Sequence, residues 1–356
     1  MTRRVAALAA GLPTLKRKGA DACWIRLASE LATVPFDGRE FRTVQMKTAT
    51  VAITGAFSYT GKYVAKLLVE QGYQLRTLTG HPDRRNPFGA AVEVFPFSFE
   101  RPDQLRETLR GTSALVNTYW VRFPRGESTF EAAVRNTKTL FAAAAYAGVR
   151  RIVHVSIANP SLNSPLGYYR GKALLEQTLI DSGLGYTILR PTVIFGMEDI
   201  LINNLAWFLR RFPVFGIPGD GRYRIRPIYV EDMAQLMADA VNADGKRVID
   251  AIGPETYAFE DLVRLIARSI GRSIRLIHVP ASLAYLATWL TGWFVGDVVL
   301  TRDEYRGVMG NLLAPESQAS GETRLSEWLG KNGKNVGTRY ASEVARHYRA
   351  DRKSVV

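Results

Sequence analysis

Two side chains in the stretch "GYYRGKALLEQ" could move a proton. Tyr168 and Lys172 are four residues apart, so on a helix they share one face. An ammonium next to a phenol favours the phenolate by simple charge attraction. The pair therefore predicts a tyrosine pKa below the free value of about 10. A second constellation lies upstream, in "VAITGAFSYTGKYVAKLLVEQG". Gly55 and Gly61 follow an apolar β-branched run and open a helical pattern. In that context the first glycine allows a tight turn and the second allows close helix–sheet packing. The helix start offers free N–H groups and the positive end of a dipole to a pyrophosphate. Phe57, Ser58, Tyr59 and Thr60 fill the turn between the glycines. Ser58 stands where backbone comes nearest to phosphate, and its hydroxyl can donate to a phosphate oxygen.

Metal chemistry has no support. The four histidines are scattered and Cys23 is the single cysteine, so neither a structural zinc site nor a disulfide within the chain is expected.

Dinucleotide selectivity is read at the end of the second strand, where NAD-selective sheets carry an acid facing the ribose 2′-hydroxyl. Here "LRTLTGHPDRR" has Thr79, Gly80 and His81, with no carboxylate before Asp83. Arg84 and Arg85 follow, and a guanidinium can grip a 2′-phosphate with two hydrogen bonds. NADP(H) is expected over NAD(H).

These residues need a scaffold. From Thr48 onward short β-branched runs alternate with helical stretches: "TVAITG", "QLRTLT", "VEVFPF", "SALVNTYW", "RRIVHVSIA" and "YTILRP" read as six strands. That alternation predicts an α/β protein, a doubly wound parallel Rossmann-type sheet, with a smaller C-terminal substrate lobe. We place the NAD(P)-binding core at residues 46–195. A mixed lobe covers 196–356, with one of its strands returning to the core sheet. Residues 1–45 read as an extension, either poorly ordered or targeting, because the first 20 residues hold five positive charges and no acid.

The most apolar run, Ala281 to Val295, is too short for a bilayer span of roughly 20 residues. It is expected to be a lobe helix, its sharper reading being a surface for a membrane or a partner near Trp289. The locations considered are cytoplasmic or organellar, or peripheral to a membrane. The net charge of +14 fits phosphorylated ligands or anionic surfaces. No RNA-binding signature with interleaved aromatics accompanies it, so nucleic acid ranks last among partners.

The ordered set Gly55/Gly61, "NTKTLFAAAAYAGVRRIVHVS", Tyr168/Lys172 and "LRPTVIFG" resembles the short-chain dehydrogenase/reductase superfamily. It looks most like the extended and atypical branch, with nucleotide-sugar epimerases, NmrA-like proteins and the nucleotide-binding accessory subunit of respiratory complex I. The likeness covers roughly residues 51–240. It implies that Tyr168 is the general acid or base, that Lys172 also holds the ribose hydroxyls, and that Ser156 assists. The usual serine position falls on Ala158, a departure that would leave a carbonyl oxyanion short of one donor. The resemblance also puts Ser98 near adenine, in place of the usual aspartate. By the same resemblance Asn117, Thr118 and Tyr119 are expected under the cofactor, with Pro191 and Val193 completing its contacts.

Trp120 and Arg122 are candidate substrate-pocket residues, with Arg122 facing an anion. Arg210, Arg211, Arg222, Arg224 and Arg226 suggest an acidic or phosphorylated substrate. The function expected is an NAD(P)-dependent oxidoreductase or epimerase acting on a carbonyl-type substrate. The alternative is a non-catalytic nucleotide-binding subunit of a larger membrane or respiratory complex, and a third reading is an RNA-binding protein on this scaffold. A homodimer is the other assembly considered.

Overall fold

The structure, a computed structural model, describes residues 49–298 and 300–348. The expected extension at residues 1–45 lies outside the described residues. Strands β1 (Thr50–Thr54), β2 (Gln74–Thr79), β3 (Val92–Pro96), β4 (Thr112–Asn117), β5 (Arg151–Val155) and β6 (Gly185–Pro191) alternate with helices α1 (Tyr59–Glu70), α2 (Pro102–Leu109), α3 (Phe130–Tyr146) and α4 (Gly167–Asp181). A further strand, β11 (Lys246–Ala251), comes from the second half of the chain and pairs in parallel with β6. The sheet order is β11-β6-β5-β4-β1-β2-β3, and every pairing in it is parallel. The expected doubly wound parallel sheet is therefore present.

Burial explains why these segments are strands. Val51, Ala52, Ile53 and Thr54 are buried, so β1 needs apolar or hydrogen-bonded side chains toward both faces. One face is covered by α1 and by α6 (Val230–Val241), through Val64, Ala65 and Leu68 against Met233, Ala234 and Met237. The other is covered by α2, α3 and α4, which contribute Leu105, Leu140, Phe141 and Leu179. In α1 the buried positions Gly61, Val64, Ala65 and Leu68 follow the helical period.

Past β6 the strands are short and pair in twos: β7 (Ile194–Phe195) with β10 (Ile228–Tyr229), β8 (Val214–Pro218) with β13 (Arg275–Val279), and β9 (Arg224–Ile225) with β12 (Tyr257–Ala258). Helices α5 (Leu201–Arg211), α7 (Phe259–Ser269) and α10 (Leu325–Asn332) enclose a separate core built on Phe195, Ile202, Leu209, Leu262, Ile266 and Leu329. Helices α8 (Ala281–Val295), α9 (Arg302–Met309) and α11 (Glu343–Tyr348) complete the lobe. No helix among the described residues is long and apolar enough to cross a membrane.

Candidate dinucleotide site

The strand order reverses at β1, whose neighbours are β2 on one side and β4 on the other. A crevice opens at the carboxyl ends of strands beside such a switch point. Gly55 turns the chain there with φ +69°, a conformation that favours glycine. Ser58 caps α1 by accepting from the Gly61 N–H at 3.3 Å, which leaves other first-turn N–H groups for a ligand. A Cβ at Gly61 would overlap the Gly55 carbonyl oxygen, so only glycine lets helix and turn meet this closely.

Thr54 ties β1 to the loop after β4. Its Oγ1 accepts from Thr118 N at 2.7 Å and Tyr119 N at 2.9 Å, and donates to Asn117 Oδ1 at 3.2 Å. Thr118 Oγ1 donates to the Thr54 carbonyl at 2.5 Å. Asn117 is fully buried and reaches His154 at 3.0 Å. It holds the loop and does not line the crevice.

The crevice opens into a cleft of about 1580 Å³. Gly55, Phe57, Ser58, Tyr59 and Thr79 line it, as do His81, Arg84, Thr118, Tyr119 and Val193. Thr60, Gly61, Pro191 and Asn117 do not line it. Ser98 does not line it: it lines a separate pocket with Gln104 and Tyr146, and after β3 Phe97 lines the cleft instead. Arg84 lines the cleft, whereas Arg85 is exposed outside it.

The proton-transfer pair differs from its sequence expectation. Tyr168 lines the cleft, but Lys172 and Ser156 do not. Lys172 is 2% exposed, and its Nζ donates to the Val155 carbonyl at 2.8 Å. The Trp120 ring covers it, with Nζ 4.5 Å from the centroid. Burial drives the Lys172 amine down to about 7, against an ordinary 10.5. Tyr168 moves the other way: burial, then the Glu304 charge, raise its phenol above the ordinary range. The expected phenolate beside an ammonium is thus corrected, because desolvation outweighs charge proximity. Trp120 also meets Tyr168 edge-on at 5.5 Å and stacks on Phe130 at 5.9 Å. Ser156 Oγ, His154 Nε2 and Trp120 Nε1 are buried with no hydrogen-bond partner among the described residues. Ala158 is buried, its N–H donating to the Pro191 carbonyl at 2.8 Å.

The arginines expected to meet an anionic substrate are engaged elsewhere. Arg122 does line the cleft, but its guanidinium meets Glu304 at 2.5 and 3.1 Å and Glu343 at 3.5 Å. Burial opposes its charge, yet the Glu304 carboxylate holds the pKa above the ordinary range. Arg210 donates to the carbonyls of Gly333, Lys334 and Val336, and Arg226 to those of Gly253, Pro315 and Ser317. Arg211 lies over the Trp207 ring and Arg224 pairs with Glu316. Neither these four nor Arg222 lines the cleft.

Tertiary structure adds residues that the sequence did not suggest. Arg346 of α11 lies over the Tyr59 ring at 5.6 Å, and its carbonyl accepts from Arg84 at 3.0 Å. Nothing near Arg346 in the sequence signals a place beside β2. Asp199, from the loop after β7, lines the same cleft. Burial raises its carboxyl to about 7, although Ile202 N and Gly196 N donate to it. Among the described residues no cluster of potential ligands for a metal ion occurs.

The sheet and this crevice have the NmrA- and epimerase-like short-chain dehydrogenase/reductase fold, the fold of NAD(P)-binding reductases and epimerases. Residues 55–199 match the family model described as NAD(P)H-binding. The chain is 24% identical over 243 residues to the Arabidopsis thaliana mitochondrial NADH dehydrogenase [ubiquinone] 1 alpha subcomplex subunit 9, covering 65% of this chain and 60% of that protein. It is 24% identical over 247 residues to the Neurospora crassa mitochondrial NADH-ubiquinone oxidoreductase 40 kDa subunit, covering 66% and 64%. The chain thus spans less than two thirds of the length of these curated relatives. Among solved structures, triphenylmethane reductase of Citrobacter sp. complexed with NADP(H) superposes with a TM-score of 0.66 at 15% identity, over 80% of this chain and 99% of that one.

Proposed function

We propose that this protein binds NADP(H) as a retained structural group and acts as a subunit of a larger assembly, without carbonyl turnover through Tyr168 and Lys172. The observation that carries this reading is the position of Trp120. Its ring covers Lys172 and abuts Tyr168, and the amine is held by the Val155 carbonyl. The cradle fits the dinucleotide. A Cβ at Gly61 would fill the close approach between turn and helix. Arg84 and Arg346 adjoin where a 2′-phosphate would lie beyond β2, which supports NADP(H) over NAD(H). Tyr119, Thr118 and Ser58 would bind and orient the group by hydrogen bonds. The dinucleotide itself would supply a hydride if a substrate reached it. The two complex I relatives named above lend the assembly reading further support.

The test is a fluorescence titration with NADPH and NADH, beside a Gly61→Trp control checked for folding by circular dichroism. The expected result is tighter binding of NADPH, lost in the control, with NADPH consumption in the presence of carbonyl compounds no faster than in Tyr168→Phe. Turnover by the wild type that Tyr168→Phe abolishes would overturn the reading.

A second reading, an NAD(P)H-dependent reductase, is favoured by one observation. Ser156 Oγ and Trp120 Nε1 are buried without partners, an arrangement that a displaced Trp120 and a bound substrate would relieve.

A further inference from the structure

We propose that the lobe end of the cleft binds the hydrocarbon chain of an amphiphile whose polar head faces the dinucleotide end. The cleft of about 1580 Å³ exceeds the ~300–1,000 Å³ of an ordinary small-molecule site, so it has room for a second ligand beside a dinucleotide.

Charge is segregated within the cleft. Its ionisable lining comes from the crevice side and from the helix starts that meet it: Lys62, Arg84, Asp199, Glu304 and Arg346 are examples. The lobe wall made by the end of α5, by β8, by β13 and by the start of α8 contributes no charged lining residue. Phe208, Phe215 and Val279 give that wall its apolar character. A ligand that matches both ends has a polar head and an apolar chain.

The mouth of the lobe end is apolar as well. Phe212, Val214 and Leu283 line the cleft and are nevertheless 52%, 43% and 57% exposed. Large side chains left wet around a concave opening mark a binding site for an apolar group. Tyr168 lines the same cleft as these mouth residues. The inference concerns the other half of the cleft from the dinucleotide and does not depend on turnover.

The test uses dansyl-labelled fatty acids of eight, ten and twelve carbons, titrated into the full chain and followed by dansyl emission. Affinity should rise about three- to fourfold for each methylene buried, the fold-change equivalent to ~0.8 kcal/mol. Val214→Asp and Leu283→Asp change exposed side chains at the mouth and should weaken the twelve-carbon probe by about tenfold or more. Leu162→Asp, 47% exposed and outside the cleft, should bind it as the wild type does. NADPH affinity should be the same in all three variants. No probe binding by the wild type, affinity independent of chain length, or unchanged binding by both mouth variants would overturn the proposal. If NADPH does not bind but the probes follow the expected pattern, the dinucleotide reading fails and this one stands.

Discussion

Replacing Lys172 by Met should stabilise the protein at neutral pH. The amine is 2% exposed, and burial brings its pKa to about 7 from an ordinary 10.5. In the unfolded chain it is protonated at pH 7.5, so folding must strip that proton. At about 1.4 kcal/mol per tenfold, the gap amounts to roughly 5 kcal/mol against the folded state. This cost is fully present below pH 7 and disappears as pH rises through 10.5. Within that window the unfolded state binds more protons, so stability rises with pH. Methionine removes the penalty and keeps an unbranched chain beneath Trp120. It also removes the bond to the Val155 carbonyl, and an orphaned buried acceptor costs about 1–3 kcal/mol. The net expectation is a gain of about 1–3 kcal/mol at pH 7.5. Urea unfolding followed by tryptophan fluorescence at pH 7.5 and 9.5 reads it. Between those values the wild type should recover roughly 2–3 kcal/mol relative to the variant. A variant less stable than wild type by the same margin at both pH values would refute the reasoning: Lys172 would then be a charged, well-solvated group, free to face the crevice.

Other substitutions probe the same framework. Gly61→Ala should lower NADPH affinity by about 100-fold or more, since its Cβ would overlap Gly55 O and push α1 off the turn; fluorescence titration measures it. Trp120→Ala should cost about 3–5 kcal/mol in urea unfolding. The same variant should show NADPH oxidation with carbonyl compounds above the wild-type level if the covered pair retains chemistry. Arg122→Ala leaves Glu304 and Glu343 without their shared cation. It should cost about 3 kcal/mol and speed proteolysis near α11, with Arg122→Lys restoring only part. Asp199 carries a raised pKa of about 7 against 3.8, so its folded form holds a proton that the unfolded form has lost between those values. Wild-type stability should therefore fall relative to Asp199→Asn as pH rises from 5 to 7, as thermal unfolding at each pH would show.

The core fold was legible because its signals are local. β-Branched runs at regular spacing, Pro102 at the start of α2 and the Gly55/Gly61 spacing each report on a few neighbouring residues. The start of the dinucleotide cradle was legible for the same reason: turn, cap and helix start are contiguous in the chain. The side that Ser98 faces was not legible, because it depends on how the turn after β3 packs, with Phe97 taking the cleft side. The basic residues past β6 differ from expectation for another reason. Composition counts arginines, but Arg210 and Arg226 spend their donors on carbonyls at least 27 residues away in sequence.

By itself the sequence determined the alternation of strands and helices, the glycine turn and the helical spacing of Tyr168 and Lys172. Each follows from backbone sterics or periodicity over one turn or one strand. Only the tertiary structure decided what those residues experience. Trp120 reaches Lys172 across 52 residues of chain and dries it, and Arg346 crosses 262 residues to meet Arg84. The apolar end of the cleft gathers from α5, β8, β13 and α8. Desolvation and cavity shape depend on everything that packs around a group, and no stretch of sequence carries that information.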